Sequence, residues 1–218
     1  VVSADGGTVW DTIIAPGTGP VYSGYTTSML LVDSATVAHD GYLYKAVMSP
    51  PCGTLTVVSD SALLSVNPIP VLSNTTTVAT ICNGTVFTYT PTSTTPGTTF
   101  SWSRAAVSGI NEGANAGAGN INDSLTDNTS STVVATYVIT STANSCSNAG
   151  EDVLVTVLPD AQITLSSGYG TDNQRVCLDD TILHIDYMFN EASTGAVVSG
   201  LQSGLKTVTN GYTFTIYD

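Results

Sequence analysis

The sequence predicts an all-β protein, folded as tandem β-sandwich domains arranged as an elongated rod, and three observations carry that reading. Apolar and polar residues alternate in short runs: "TILHIDYMF" (181–189) sets Leu183, Ile185, Tyr187 and Phe189 on one face, and "YTFTIY" (212–217) does the same with Tyr212, Phe214 and Ile216. Two further runs, "TVVATYVITST" (132–142) and "EDVLVTV" (151–157), are rich in β-branched residues, which suit a pleated surface. Finally, two similar marks divide the chain, "LLSVNPIPVL" around Pro68 and Pro70 and "VLVTVLPDAQITL" around Pro159. In each a strand ends in a proline that cannot donate to a ladder, and a new strand follows. Their spacing of about ninety residues matches one sandwich, so the expected domains are 1–69, 70–159 and 160–218.

Taken in order, "SADGGTVW" opens on a turn at Asp5-Gly6-Gly7, and "DGYLYKAVMSPPCG" (40–53) holds a strand that runs into Pro50 and Pro51. In the middle domain, "TFSWSR" alternates so that Trp102 is the expected core tryptophan. The Ala-rich stretch "AAVSGINEGANAGAGNIND" (105–123) carries too much Gly and Asn for a stable helix and is expected to be a long inter-strand loop.

Composition limits the partners. The 218 residues include 17 acidic and 4 basic side chains, a formal net charge of -13, and Ser and Thr make up about a quarter of the chain. Lys45, Arg104, Arg175 and Lys206 are scattered, so neither nucleic acid nor an anionic membrane surface finds a basic patch. No apolar run reaches the length of a membrane-spanning helix. The start "VVSADGGTVW" has neither an initiator Met nor a signal-peptide pattern, and the chain is expected to be an excerpt from a longer polypeptide.

The cysteines fall into register with the proline marks. Cys82 lies 14 residues after Pro68 and Cys177 lies 18 after Pro159, whereas Cys52 precedes Pro68 by 16 and Cys146 precedes Pro159 by 13. Four cysteines allow three pairings, and this register selects a Cys82–Cys146 disulfide in the middle domain. Cys52 and Cys177 are then expected to pair beyond the two ends of the excerpt.

Several motifs together carry a resemblance. The first segment has "DGGTVW", "YSGYTTSML", "GYLYKA" and "CG"; the middle has "TICNGTVFTYTP", "TTFSWSR" and "ATYVITSTANSCSNAGEDVLVTV"; the last runs from "ITLSSGYG" through "GLQSGL" to "TIYD". In this order they resemble the Ig-like and PKD-like tandem repeats of Bacteroidetes cell-surface adhesins of the SprB gliding-motility type. The match departs at Gln202, where those repeats carry proline, and at Ala46, where an antibody-type sixth strand would carry its cysteine. The resemblance implies a non-catalytic structural and adhesive stalk, exported by the type 9 secretion route to the outer-membrane-attached surface of a Gram-negative bacterium. Its implied partners are neighbouring repeats of the same polypeptide, surface polysaccharide or other cell-surface proteins. It also implies O-glycans at Asp-(Ser/Thr)-apolar triplets, which places candidate sites at Thr12, Ser34, Ser61, Ser124 and Thr181, where ~2 such triplets would arise by composition alone.

Chemistry beyond this is sparse. His39 precedes the Asp40-Gly41 turn and His184 lies at an outward position of an alternating strand, so no base stands beside a nucleophile in a recognisable motif, and no catalytic residues are expected. Asp179-Asp180, Glu151-Asp152 and the stretch Asp123 to Asp127 form no calcium loop, and no metal or other cofactor is expected; carboxylates meeting only in three dimensions leave calcium as the one alternative. Trp10 follows a turn, where edge packing competes with a sugar-stacking role. Two rival readings are a carbohydrate-binding module array of a secreted hydrolase, which would display some of the ten tyrosines in a row, and a subunit of a surface filament paired through sheet edges.

Overall fold

A computed structural model describes residues 1–13, 20–49, 55–74, 79–177, 179–191, 193 and 195–218. The chain is all-β, as expected, and its described helical content is one short 3-10 turn, Val37–His39. It divides into two compact units: Val1–Pro70 with Thr95–Gly97 and Thr142–Ser147, and the remainder, Val71–Thr94, Thr98–Ser141 and Asn148–Asp218.

The first unit is made of very short strands: β1 (Val2–Ser3), β2 (Val21–Ser23), β3 (Leu31–Asp33), β4 (Leu43–Tyr44), β5 (Val47–Met48), β6 (Val57–Val58) and β7 (Ala62–Leu63). They form an antiparallel sheet in the order β1-β4-β7 and two separate ribbons, β2-β3 and β5-β6. The Asp5 carboxylate accepts hydrogen bonds from the backbone N–H groups of Thr8 and Val9 and from the Ser3 hydroxyl, and so organises the opening turn. Gly6 and Gly7 take φ of 74° and 95° there, which a side chain would resist. Among the described residues this unit buries only Ser3, Pro20, Pro70 and Ala143, whereas Met29, Met48, Leu55 and Leu63 are each at least two-thirds exposed.

The second unit holds the long strands. β8 (Ala79–Cys82), β9 (Val86–Tyr89), β10 (Thr99–Arg104), β11 (Asn115–Ala118), β12 (Ile121–Ser124), β13 (Val133–Ala143), β14 (Cys146–Ser147) and β15 (Glu151–Leu158) follow in sequence, the last two residues of β13 and all of β14 being counted with the first unit. The main sheet runs β11-β10-β13-β15-β8, with β8 parallel to β15, and the antiparallel ribbon β9-β12 faces it. The alternation of β13 and β15 sends Ala135, Tyr137, Ile139, Val153, Val155 and Val157 inward, all fully or almost fully buried, against Phe87, Ile121 and Leu125. Trp102 is buried at the centre, as its alternating strand predicts, with its ring edge-on to Tyr137 at 5.8 Å.

Residues 105–123 depart from expectation. The first half is a loop, but β11 and the start of β12 occupy the second half, and β11 pairs with β10 over four residues. Its Gly and Ala, poor strand formers, are selected by packing: Gly117 lies opposite Trp102, and a Cβ there would sit 2.7 Å from the indole ring.

After β15 the chain builds a four-stranded antiparallel sheet, β16-β17-β19-β18, from β16 (Ile163–Leu165), β17 (Ile185–Phe189), β18 (Lys206–Asn210) and β19 (Thr213–Tyr217). Phe189, Phe214 and Ile216 make its small core. The strand expected over 181–189 begins only at Ile185, because Gln174 caps the preceding segment by accepting from the Leu183 N–H and donating to the Leu183 carbonyl; Leu183 is left exposed. A two-residue loop, Gly211-Tyr212, joins β18 to β19, with Gly211 at φ 60° as a tight hairpin demands.

The expected Cys82–Cys146 bridge is not formed, and both are free thiols. The ladder gives the reason. Cys82 lies beside Leu158, one step past the Val157–Val133 pair at the first end of β13, whereas Cys146 pairs with Ala143, the last residue of that eleven-residue strand. A disulfide requires Cα atoms within about 7 Å. Cys177 is also free, and Cys52 lies outside the described residues.

Candidate functional site

The most highly organised polar group lies inside the second unit. β10 alternates so that Arg104 faces inward with Trp102, and it is almost completely buried. β12 likewise turns Asp123 inward between Ile121 and Leu125. The Arg104 Nε donates to Asp123 Oδ2 at 2.9 Å, the Tyr137 hydroxyl donates to the same oxygen at 2.7 Å, and the Asn115 amide donates to Oδ1 at 2.9 Å. Another guanidinium N–H reaches the Gly113 carbonyl at 3.0 Å, tying down the loop before β11. Burial pushes the Asp123 carboxyl up, but the bonds from Tyr137, Arg104 and Asn115 outweigh it and hold the group below its ordinary range. Burial and the neighbouring carboxylate push the Tyr137 phenol far up, so it stays protonated as the donor. The cluster is saturated and sealed, and serves to lock strands together.

A second polar knot secures the loops at one end of the sandwich. Glu112 accepts from the N–H and hydroxyl of Thr126, both at 2.8 Å, and Asn83 accepts from the Asp127 N–H at 2.7 Å. Asp127 Oδ1 accepts from the N–H and hydroxyl of Thr129. Asp123 and Asp127 are therefore buried members of the fold. Asp179, by contrast, sits in a turn at φ 66°, where the following Asp180 side chain accepts from the Cys177 N–H.

Neither histidine stands in a catalytic arrangement. His39 closes a capping box with Thr36, its Nδ1 accepting from the Thr36 N–H at 2.9 Å, and its ring is edge-on to Tyr42. His184 is exposed just before β17, 5.8 Å from the Tyr217 ring. Among the described residues no group of three His, Cys, Asp or Glu side chains is placed to hold a metal ion. Trp10 is packed: its Nε1 donates to the Gly7 carbonyl at 3.0 Å and the Lys45 ammonium covers its ring at 4.2 Å.

The five triplet hydroxyl residues Thr12, Ser34, Ser61, Ser124 and Thr181 all lie at exposed positions. They differ in setting. Ser34 has φ 56° at the end of β3, while Ser124 lies on β12 and donates to the Gly84 carbonyl at 3.4 Å. The buried Arg104–Asp123–Tyr137 cluster had a signal in sequence: a charged residue two places from a core tryptophan on an alternating strand needs an inward partner.

Among the described residues no helix is long and apolar enough to cross a membrane. Comparison with known proteins gives a match over part of the chain and no curated protein similar to it in sequence. Among solved structures, the chain is similar to the crystal structure of Dpr2 Ig1-Ig2 in complex with DIP-Theta Ig1-Ig3, at 15% identity and a TM-score of 0.34, over 94% of this chain and 72% of that one. Residues 79–161, from the start of β8 to just past the end of β15, match the PKD-like domain, a non-catalytic type typical of extracellular adhesion proteins.

Proposed function

We propose that the chain is a non-catalytic structural and adhesive stalk segment of a large secreted cell-surface adhesin, exported by the type 9 route to the outer surface of a Gram-negative bacterium and acting in attachment and gliding. The PKD-like match over 79–161 carries this reading. In the proposal, 1–69, 70–159 and 160–218 are successive repeat modules whose nearest partners are adjoining repeats of the same polypeptide. Shortening the parent by this segment in its native host is expected to reduce attachment and gliding while its export continues. Unchanged attachment and gliding would overturn the reading, as would ester, glycosidic or peptide turnover that vanishes in His39→Ala or His184→Ala.

The exposed triplets support O-glycosylation at some of Thr12, Ser34, Ser61, Ser124 and Thr181. Intact-mass and glycopeptide measurements on protein from the native host should reveal the additions, and an unmodified mass from that host would remove this part of the proposal.

A further inference from the structure

We infer that a hollow in the second unit, where the loop before β13 meets the end of β17 and the β18–β19 turn, binds a neutral carbohydrate; this deepens the adhesive reading and rests on it. The hollow encloses about 420 Å³ and opens to solvent, within the range of small-ligand sites. Its walls carry Ser130, Ser131, Gln162, Glu191 and Tyr212, over an apolar floor at Met188 and Phe189.

Three features argue for a sugar. The first is an aromatic platform: the two-residue Gly211-Tyr212 loop presents Tyr212, which is 52% exposed, and the Phe189 ring supports it edge-on at 6.0 Å and 78°. A backbone bond from the Phe189 N–H to the Tyr212 carbonyl at 2.9 Å fixes the platform to the floor. An aromatic face held this way suits the C–H face of a pyranose, whereas scattered surface tyrosines would not.

The second is a preorganised polar wall. Asn190 donates to the Asp160 carbonyl at 2.7 Å and accepts from the Gln162 N–H at 3.0 Å, fastening the segment that carries Gln162 to the end of β17. Among the described residues the Gln162 side-chain amide and the Tyr212 hydroxyl make no hydrogen bond, and Glu191 accepts only a long one, 3.4 Å, from Thr132. These supply donors and acceptors that a ring of hydroxyls satisfies pairwise.

The third is charge. The lining contains no Lys, Arg or His and one carboxylate, in a chain of net charge -13, so sulfated, sialylated and phosphorylated ligands are repelled while an uncharged glycan is not.

The test uses the whole chain with gluco-, xylo-, manno- and chito-oligosaccharides, and sialylated and sulfated glycans as controls, followed by titration calorimetry and saturation-transfer NMR. At least one neutral class should bind, with transfer strongest to one ring face. Tyr212→Ala should weaken it at least tenfold and Tyr212→Phe much less, and Glu191→Gln should also weaken it, all at unchanged melting temperature. Binding of none of the neutral series, binding equal in Tyr212→Ala and Glu191→Gln, or binding of charged glycans alone would overturn the inference. Hydrolysis of the bound glycan would instead break the non-catalytic reading and leave the site standing.

Discussion

The two units are drawn from similar residues and end in opposite states of packing. The first has Val47, Met48, Val57, Val58 and Leu63 in strands, yet all five are exposed. The second has comparable Val and Ile in β13 and β15, and buries those on the inward face, Ile139, Val153, Val155 and Val157, almost completely, while Val134 and Val138 on the other face stay exposed. Strand length separates the two cases. A two-residue strand offers one side chain to each face, so the first unit cannot form a continuous apolar surface from any one strand. β13, with eleven residues, repeats its inward position along its whole length, and β15 matches it pair by pair. Hydrophobic residues become a core only when the ladder is long enough to align them.

The comparison breaks most severely at Arg104. Arg104→Ala would leave Asp123 buried without its cation, and a loss of about 3–5 kcal/mol is expected from the second unit. Guanidinium unfolding should locate that loss in the tryptophan signal of Trp102; a change under about 1 kcal/mol would mean that the cluster is not a lock. Next in size is a paired truncation. Ile139→Ala, at a fully buried site, should cost about 2–5 kcal/mol, and Leu63→Ala, two-thirds exposed in the first unit, should stay within about 0.5 kcal/mol. Equal losses would dissolve the contrast between the units.

A smaller effect is expected at Gly117. Gly117→Ala drives a methyl against the Trp102 ring and should destabilise by about 1–3 kcal/mol, with a shift in indole emission that Gly113→Ala, in open space, does not produce. The smallest effect is pH dependence. The Asp123 carboxyl titrates below its unfolded value, so its contribution is complete above about pH 4 and fades as pH falls through the lowered folded value. Asp5, held low first by the Val9 N–H and then by Ser3, behaves in the same direction at the first turn. Melting curves below pH 4 should therefore flatten in Asp123→Asn; a dependence identical to the parent's would place the acid sensitivity elsewhere.

Much of the second unit could be read from the chain because its signal is local. β-branched alternation marks β13 and β15, and Trp102 declares the inner face of β10. What escaped depends on contacts distant in sequence. Asn115–Ala118 is a strand because Gly117 fits beneath Trp102, which no propensity expresses. Asp123 stood at the end of the expected 105–123 loop, in one of several acidic stretches, until β12 turned it towards Arg104, nineteen residues away. The cysteine register failed for a similar reason: spacing from prolines measures chain length, whereas a disulfide depends on which end of a strand each residue reaches. The platform at Tyr212 was half legible, since the alternation assigned it to the face of Phe214 but the hairpin loop lifted it into solvent.

The parallel pairing of β8 with β15 has a mechanical consequence. Once the bonds that tie Leu72 and Asn74 to Glu151 and Thr90 give way, a pull that reaches β8 at Ala79, beside Val155, and β15 past Leu158, beside Cys82, drags the two strands in opposite directions along their length. Their hydrogen bonds are then loaded together, in shear, and must fail together; an antiparallel pair pulled from one end would open bond by bond. In the proposed stalk role, shear loading would let a four-residue ladder bear tension that its modest length would not suggest.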